Sequence, residues 1–159
     1  MPPVQAILIG GVVAGTLDLT YAFVVYGLRG VTPLRNLQSI ASGILGRDAY
    51  RRGIEAAVLG LLLHYFILIV AAALFYAARR RLPWAGRHAV SSGLLYGVCI
   101  YAFMTLVVVP LSAFPYKTTF DPPLVALNLV AHMVLVGLVI SLFAHASTQH
   151  ERDGVTLAT

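Results

Sequence analysis

Four apolar runs, each long enough to cross a bilayer, constrain this chain more than any other feature: Val4–Leu28, Ile54–Ala78, Ala89–Leu111 and Leu124–Ala146. Each exceeds the roughly 20 residues that cover about 30 Å of hydrocarbon at about 1.5 Å per residue. In lipid, every backbone N–H and C=O must pair within a helix or a closed barrel. Barrel strands alternate in polarity over about ten residues, whereas these runs are continuous. The chain therefore reads as an all-α membrane protein, a four-transmembrane-helix bundle. Composition agrees, since 59% of the 159 residues are apolar and 11% charged, more apolar surface than a soluble domain of this size could bury.

The first run is read as a membrane span and not a cleaved leader, because it lacks a basic flank and carries Asp18 and several glycines. The single cysteine, Cys99, excludes an internal disulfide and a dithiol redox cycle. The formal charge of +5 fits arginines anchoring helix ends at headgroups, so the lipid bilayer and not nucleic acid is the expected partner. Both termini fall on one face with Arg79, Arg80, Arg81, Arg87 and Arg152; Arg29, Arg35, Arg47, Arg51, Arg52 and Lys117 fall on the other. The two sets nearly balance, and the dense Arg79–Arg87 cluster favours cytoplasmic termini.

The Arg29–Gly53 connection carries a helix of its own. Thr32 suits an N-cap, Pro33 the first helical position and Gly46 the stop, with Leu34, Leu37, Ile40, Ala41, Ile44 and Leu45 at helical spacing. Residues 33–46 are too few to span, so an amphipathic helix is expected on the Arg29 face or over the mouth of the bundle. Trp84 marks an interfacial turn, Phe114–Pro123 a second turn, and residues 147–159 a polar tail to a single membrane domain.

Counted from the Arg29 face, Asp18 lies ten residues from Leu28, His64 ten from Ile54, Tyr101 ten from Leu111 and His132 ten from Pro122. At helical rise all four sit about 15 Å deep. Each lies on a stripe of small or polar residues: Gly11, Ala14 and Ala22 beside Asp18; Ala57, Gly60 and Ala71 beside His64; Gly97 and Thr105 beside Tyr101; Asn128 beside His132. An inward-facing layer of Asp18, His64, Tyr101, Thr105, Asn128 and His132 follows, because ionisable groups in a hydrocarbon interior turn away from lipid. Gly11–Gly15 and Gly93–Gly97 form G-x-x-x-G pairs nearer the terminal face, which suggests contact there between the first and third helices. Pro110 is expected to bend the third helix near the Arg29 face. Together these predict a bundle tight at the terminal face and splayed at the other, with Gly60 and Thr105 facing the crevice.

Three uses of the layer stand open. It could lock helix register by hydrogen bonding. It could handle protons, ions or a small ligand, since histidine titrates near neutrality and intramembrane Asp/His sets line transport paths. Or it could hold a cofactor: haem b between His64 and His132, or a divalent metal on Asp18, His64 and His132. A homo-oligomer, or an accessory place in a larger membrane complex, is compatible with each. No G-x-S-x-G, H-E-x-x-H, P-loop or clustered H-x-x-x-H motif occurs, so no enzymatic activity is indicated.

The run from His64 to Ser141 resembles the YagU-type inner-membrane proteins of bacteria. The likeness lies in LLLHYFILIVAAALFY, the turn at Trp84 before Gly93 and Gly97, the proline in VVVPLSAFP and the histidine in NLVAHMVL. An acidic residue of that family, near the start of the fourth helix, is replaced here by Asn128, and Asp18 has no counterpart. The resemblance implies a bacterial inner-membrane location and importance for His64 and His132, and it supplies no substrate.

Overall fold

The computed structural model describes residues 1–116 and 121–156, with side chains through Ser147. Among the described residues, four helices are long and apolar enough to cross a membrane: Pro3–Gly27, Gly53–Arg81, Ala89–Leu111 and Pro122–Ser147. We call them the first to fourth spans. The fourth continues as helix to Thr156, through most of the polar tail. Lys117 and the last three residues lie outside the described ones, as do the side chains of His150 and Arg152.

The short helix before the second span covers Pro33–Leu45. The Thr32 side chain accepts a hydrogen bond from the Arg35 N–H, Pro33 opens the helix, and Gly46 ends it at φ +59°, where a side chain would be strained. It does not simply float at the interface. Its Gln38, Ala41 and Ser42 are buried, Gln38 Nε2 donates to the Gly53 carbonyl at 3.0 Å, and the Ala113 N–H donates to the Gly43 carbonyl at 2.9 Å. The helix thus wedges between the start of the second span and the end of the third. Gly60 makes this possible, since a β-carbon there would overlap the Leu37 carbonyl. Gly60 therefore faces the short helix and not the crevice, contrary to the stripe argument.

The expected pairing of first and third spans through their glycines is also overturned. Gly11 packs on Ile69 of the second span and Gly10 on Phe143 of the fourth. Gly93 and Gly97 instead seat on Gly137, with His132 and Met133 against Gly97 and Leu138 and Ser141 against Gly93. Three glycines from two helices thus bring two backbones together, so dispersion and close carbonyl contact replace side-chain interdigitation.

The main apolar core, Ala14, Leu68, Ala71, Ala72, Phe75, Tyr76, Val136, Ile140 and Ala144, lies in the terminal half. Tyr96 of the third span joins it there, donating its hydroxyl to the Ala71 carbonyl at 2.7 Å and packing its ring 4.9 Å from Phe75. Arg79, expected at the headgroups, is buried at the end of this core and donates to the Ala144 carbonyl, with its guanidinium 5.8 Å from the Tyr76 ring. A guanidinium spreads its charge over five N–H donors, so a main-chain carbonyl of the fourth span can serve as acceptor at this position.

Candidate functional site

Ala14, Leu68 and Val136 of the core sit four residues, one helical turn, from Asp18, His64 and His132. The apolar seal and the polar layer are therefore consecutive storeys of the same three helices. On the other side of the polar layer the spans part, leaving a cavity of about 580 Å³. All six residues of the inferred layer line it: Asp18, His64, Tyr101, Thr105, Asn128 and His132. Tyr26, Asn36, Phe114, Tyr116 and Asp121 continue the lining toward the Arg29 face, where Tyr116 is exposed. The lining thus runs from the polar layer beside the apolar core to the exposed Tyr116.

Each polar group has a definite place. His64, 7% exposed, donates from Nε2 to the Gly15 carbonyl at 2.9 Å, and a side chain at Gly15 would press on the neighbouring Tyr65 ring. His132 donates from Nδ1 to the Asn128 carbonyl of its own helix at 2.9 Å, and its ring meets Tyr101 edge-on at 5.3 Å. Because a carbonyl can only accept, these bonds put a proton on Nε2 of His64 and on Nδ1 of His132. The nearest Asp18 oxygen stands 4.0 Å from His132 Nδ1, an ion-pair separation beyond hydrogen-bond reach.

The side chain of Asn128 is the hub of a network that the sequence argument missed. Its Oδ1 accepts from the Tyr21 hydroxyl at 2.8 Å, and its Nδ2 donates to the Tyr26 hydroxyl at 3.2 Å. Tyr21 follows Asp18 by three residues and Tyr26 by eight, so both share its face of the first span. That spacing was the available signal. Replacing Asn128 with leucine strands both tyrosine hydroxyls and is expected to destabilise the fold by about 1–3 kcal/mol, read as a lowered unfolding midpoint in detergent.

Two departures from α-helical geometry border the crevice. Met104–Val108 is a π-helical segment, in which the Val109 N–H reaches back to the Met104 carbonyl. Pro110 follows immediately and cannot donate to Leu106, so the expected disturbance takes the form of a widened turn. Thr105 lies within it. His132–Leu138 is a second π-helical segment, opening at His132 and containing Gly137 of the glycine seam.

The ligand chemistry for a metal is not assembled. Among the described residues no group of three or more His, Cys, Asp or Glu side chains could hold an ion. His64 and His132 each spend a ring N–H on a backbone carbonyl, and Asp18 joins them in the lining without forming such a group.

A family model covers nearly the whole chain, matching residues 1–154. The chain belongs to a family of unknown function, DUF6789. No curated protein and no solved structure matches it. The expectation of a membrane family without an established activity thus holds in its coarse form, whereas no named relative stands behind the YagU-type likeness. Membership in this family adds no substrate, so function must be argued from the crevice.

Proposed function

We propose that this protein binds a small organic molecule in the crevice between its spans, with the Asp18/His132 level as floor. The observation that carries this is the cavity itself: about 580 Å³, ending on six polar side chains from all four spans. That volume lies in the range of small-molecule sites, which are mostly apolar with a few fixed polar groups. A layer that merely locked helix register would close upon itself, whereas here the side chains border open space. A bare proton path would need no such volume.

Several features suit the lining to this role. Asn128 fixes Tyr21 and Tyr26, and the Gly15 carbonyl fixes His64, so the polar groups are held before any ligand arrives. The mouth lies at the Arg29 end, opposite Arg80 and Arg87. With the termini in the cytoplasm of a bacterium, as the arginine cluster favours, it would draw from the outer side of the inner membrane. The test is to purify the protein in mild detergent, extract it with organic solvent and weigh the extract by mass spectrometry. A molecule retained in stoichiometric amount by wild type and lost in Thr105→Trp is the expected result. An extract identical for the two proteins contradicts the proposal.

A further inference from the structure

We infer that the crevice selects organic cations, ammonium groups bearing apolar substituents, with Asp18 as counter-charge and Tyr21, Tyr26 and Tyr101 as aromatic walls. This rests on the small-molecule reading above and names the class of ligand.

The charge pattern of the lining opposes that of the chain. The sequence holds 11 Lys and Arg against 6 Asp and Glu, yet among the described residues the cavity is lined by two carboxylates, Asp18 and Asp121, and by no lysine or arginine. Asp121 at the mouth is already matched, because Arg29 donates to it at 2.9 Å. Asp18 has no such donor: among the described residues its nearest partner is His132, whose Nδ1 lies at an ion-pair separation of 4.0 Å and directs its proton to the Asn128 carbonyl. A carboxylate about midway through a bilayer is costly without a partner, and it faces the cavity.

Around it stand rings whose positions are fixed. The hydroxyls of Tyr21 and Tyr26 are tied to Asn128, and Tyr101 is set by its edge contact with His132. Aromatic faces beside a carboxylate recognise a quaternary or substituted ammonium, which offers diffuse charge and needs no array of acceptors. A compact metal ion would require a ligand cluster that is absent among the described residues. An anion would meet Asp18 with no lysine or arginine among the described lining residues to offset it, and a neutral molecule would leave that carboxylate without a counter-charge of its own.

The test uses the full chain in an uncharged detergent and three probes of similar shape: benzyltrimethylammonium, neutral neopentylbenzene and anionic phenylacetate. Saturable binding of the cation, about tenfold or more tighter than either comparator, is expected. Asp18→Asn should weaken the cation about tenfold while leaving the neutral probe unchanged, and Tyr101→Leu should weaken it about three- to fivefold. Asp18→Glu keeps the charge and should retain binding within about threefold, which separates loss of charge from loss of fold. If the neutral probe binds as tightly as the cation, and Thr105→Trp abolishes both, the crevice stands and cation selection fails. If binding of every probe ignores Thr105→Trp, the crevice reading fails with it.

Discussion

Gly97→Leu should unseat the third span from the fourth and leave little folded protein in detergent. A β-carbon on Gly97 would overlap the His132 carbonyl and the Met133 backbone, and backbone cannot step aside as a side chain end can. Apart from Tyr96 the third span offers little to the main core, with 6% of its apolar window buried, against 28–33% for the other three. Overpacking in a close interface typically costs about 1–3 kcal/mol, and a clash with backbone on both sides belongs at or above the upper end. Because Gly97 faces His132, the loss should also displace the histidine and open the floor of the crevice. Gly27→Leu is the control, since nothing lies within 4 Å of the position its β-carbon would take. The readout is the unfolding midpoint and the monodisperse yield on gel filtration. A Gly97→Leu variant with wild-type values would contradict the glycine seam.

Thr105→Trp should abolish ligand retention without harming the fold. Thr105 lines the cavity one turn from Tyr101, and the apolar core lies on the far side of the polar layer. An indole there projects into space that the native threonine leaves open, so retained ligand should fall about tenfold or more while stability moves by less than about 1 kcal/mol. A ligand held by surface lipid contact would not respond. The two substitutions thus separate the seam that builds the bundle from the opening that it leaves.

Much of this was legible in the sequence. Length and unbroken hydropathy dictate the spans, and Thr32, Pro33 and Gly46 delimit the short helix, because local chemistry decides those features. Depth counting groups Asp18, His64, Tyr101 and His132, because helical rise is fixed and four spans share one thickness, and the helical stripes add Thr105 and Asn128. What failed was pairing. A G-x-x-x-G pattern says that a backbone comes close to something, without saying to which helix, so Gly93 and Gly97 suggest contact with the first span although Gly137 is their partner. Gly60 was misread for the same reason, since an inward stripe can face an inserted short helix as well as a cavity. The spacing of Tyr21 and Tyr26 puts both on the face of Asp18, but their link to Asn128 depends on side-chain reach across 102 to 107 residues of sequence, which no local pattern encodes. Arg79 escaped too, because its neighbours Arg80 and Arg81 in the sequence suggest one shared role.

The crevice must open at the Arg29 face and be sealed at the other, and a single cysteine tests this. Cys99 is exposed and free, so it is first replaced by alanine, and Thr105→Cys is introduced in that background. Vesicles of known orientation are then treated with a membrane-impermeant maleimide. Labelling from the face bearing Arg29 and Asp121, with protection from the face bearing Arg80 and Arg87, is the predicted result. Protection from both faces, or labelling from the Arg80 and Arg87 face, would contradict it.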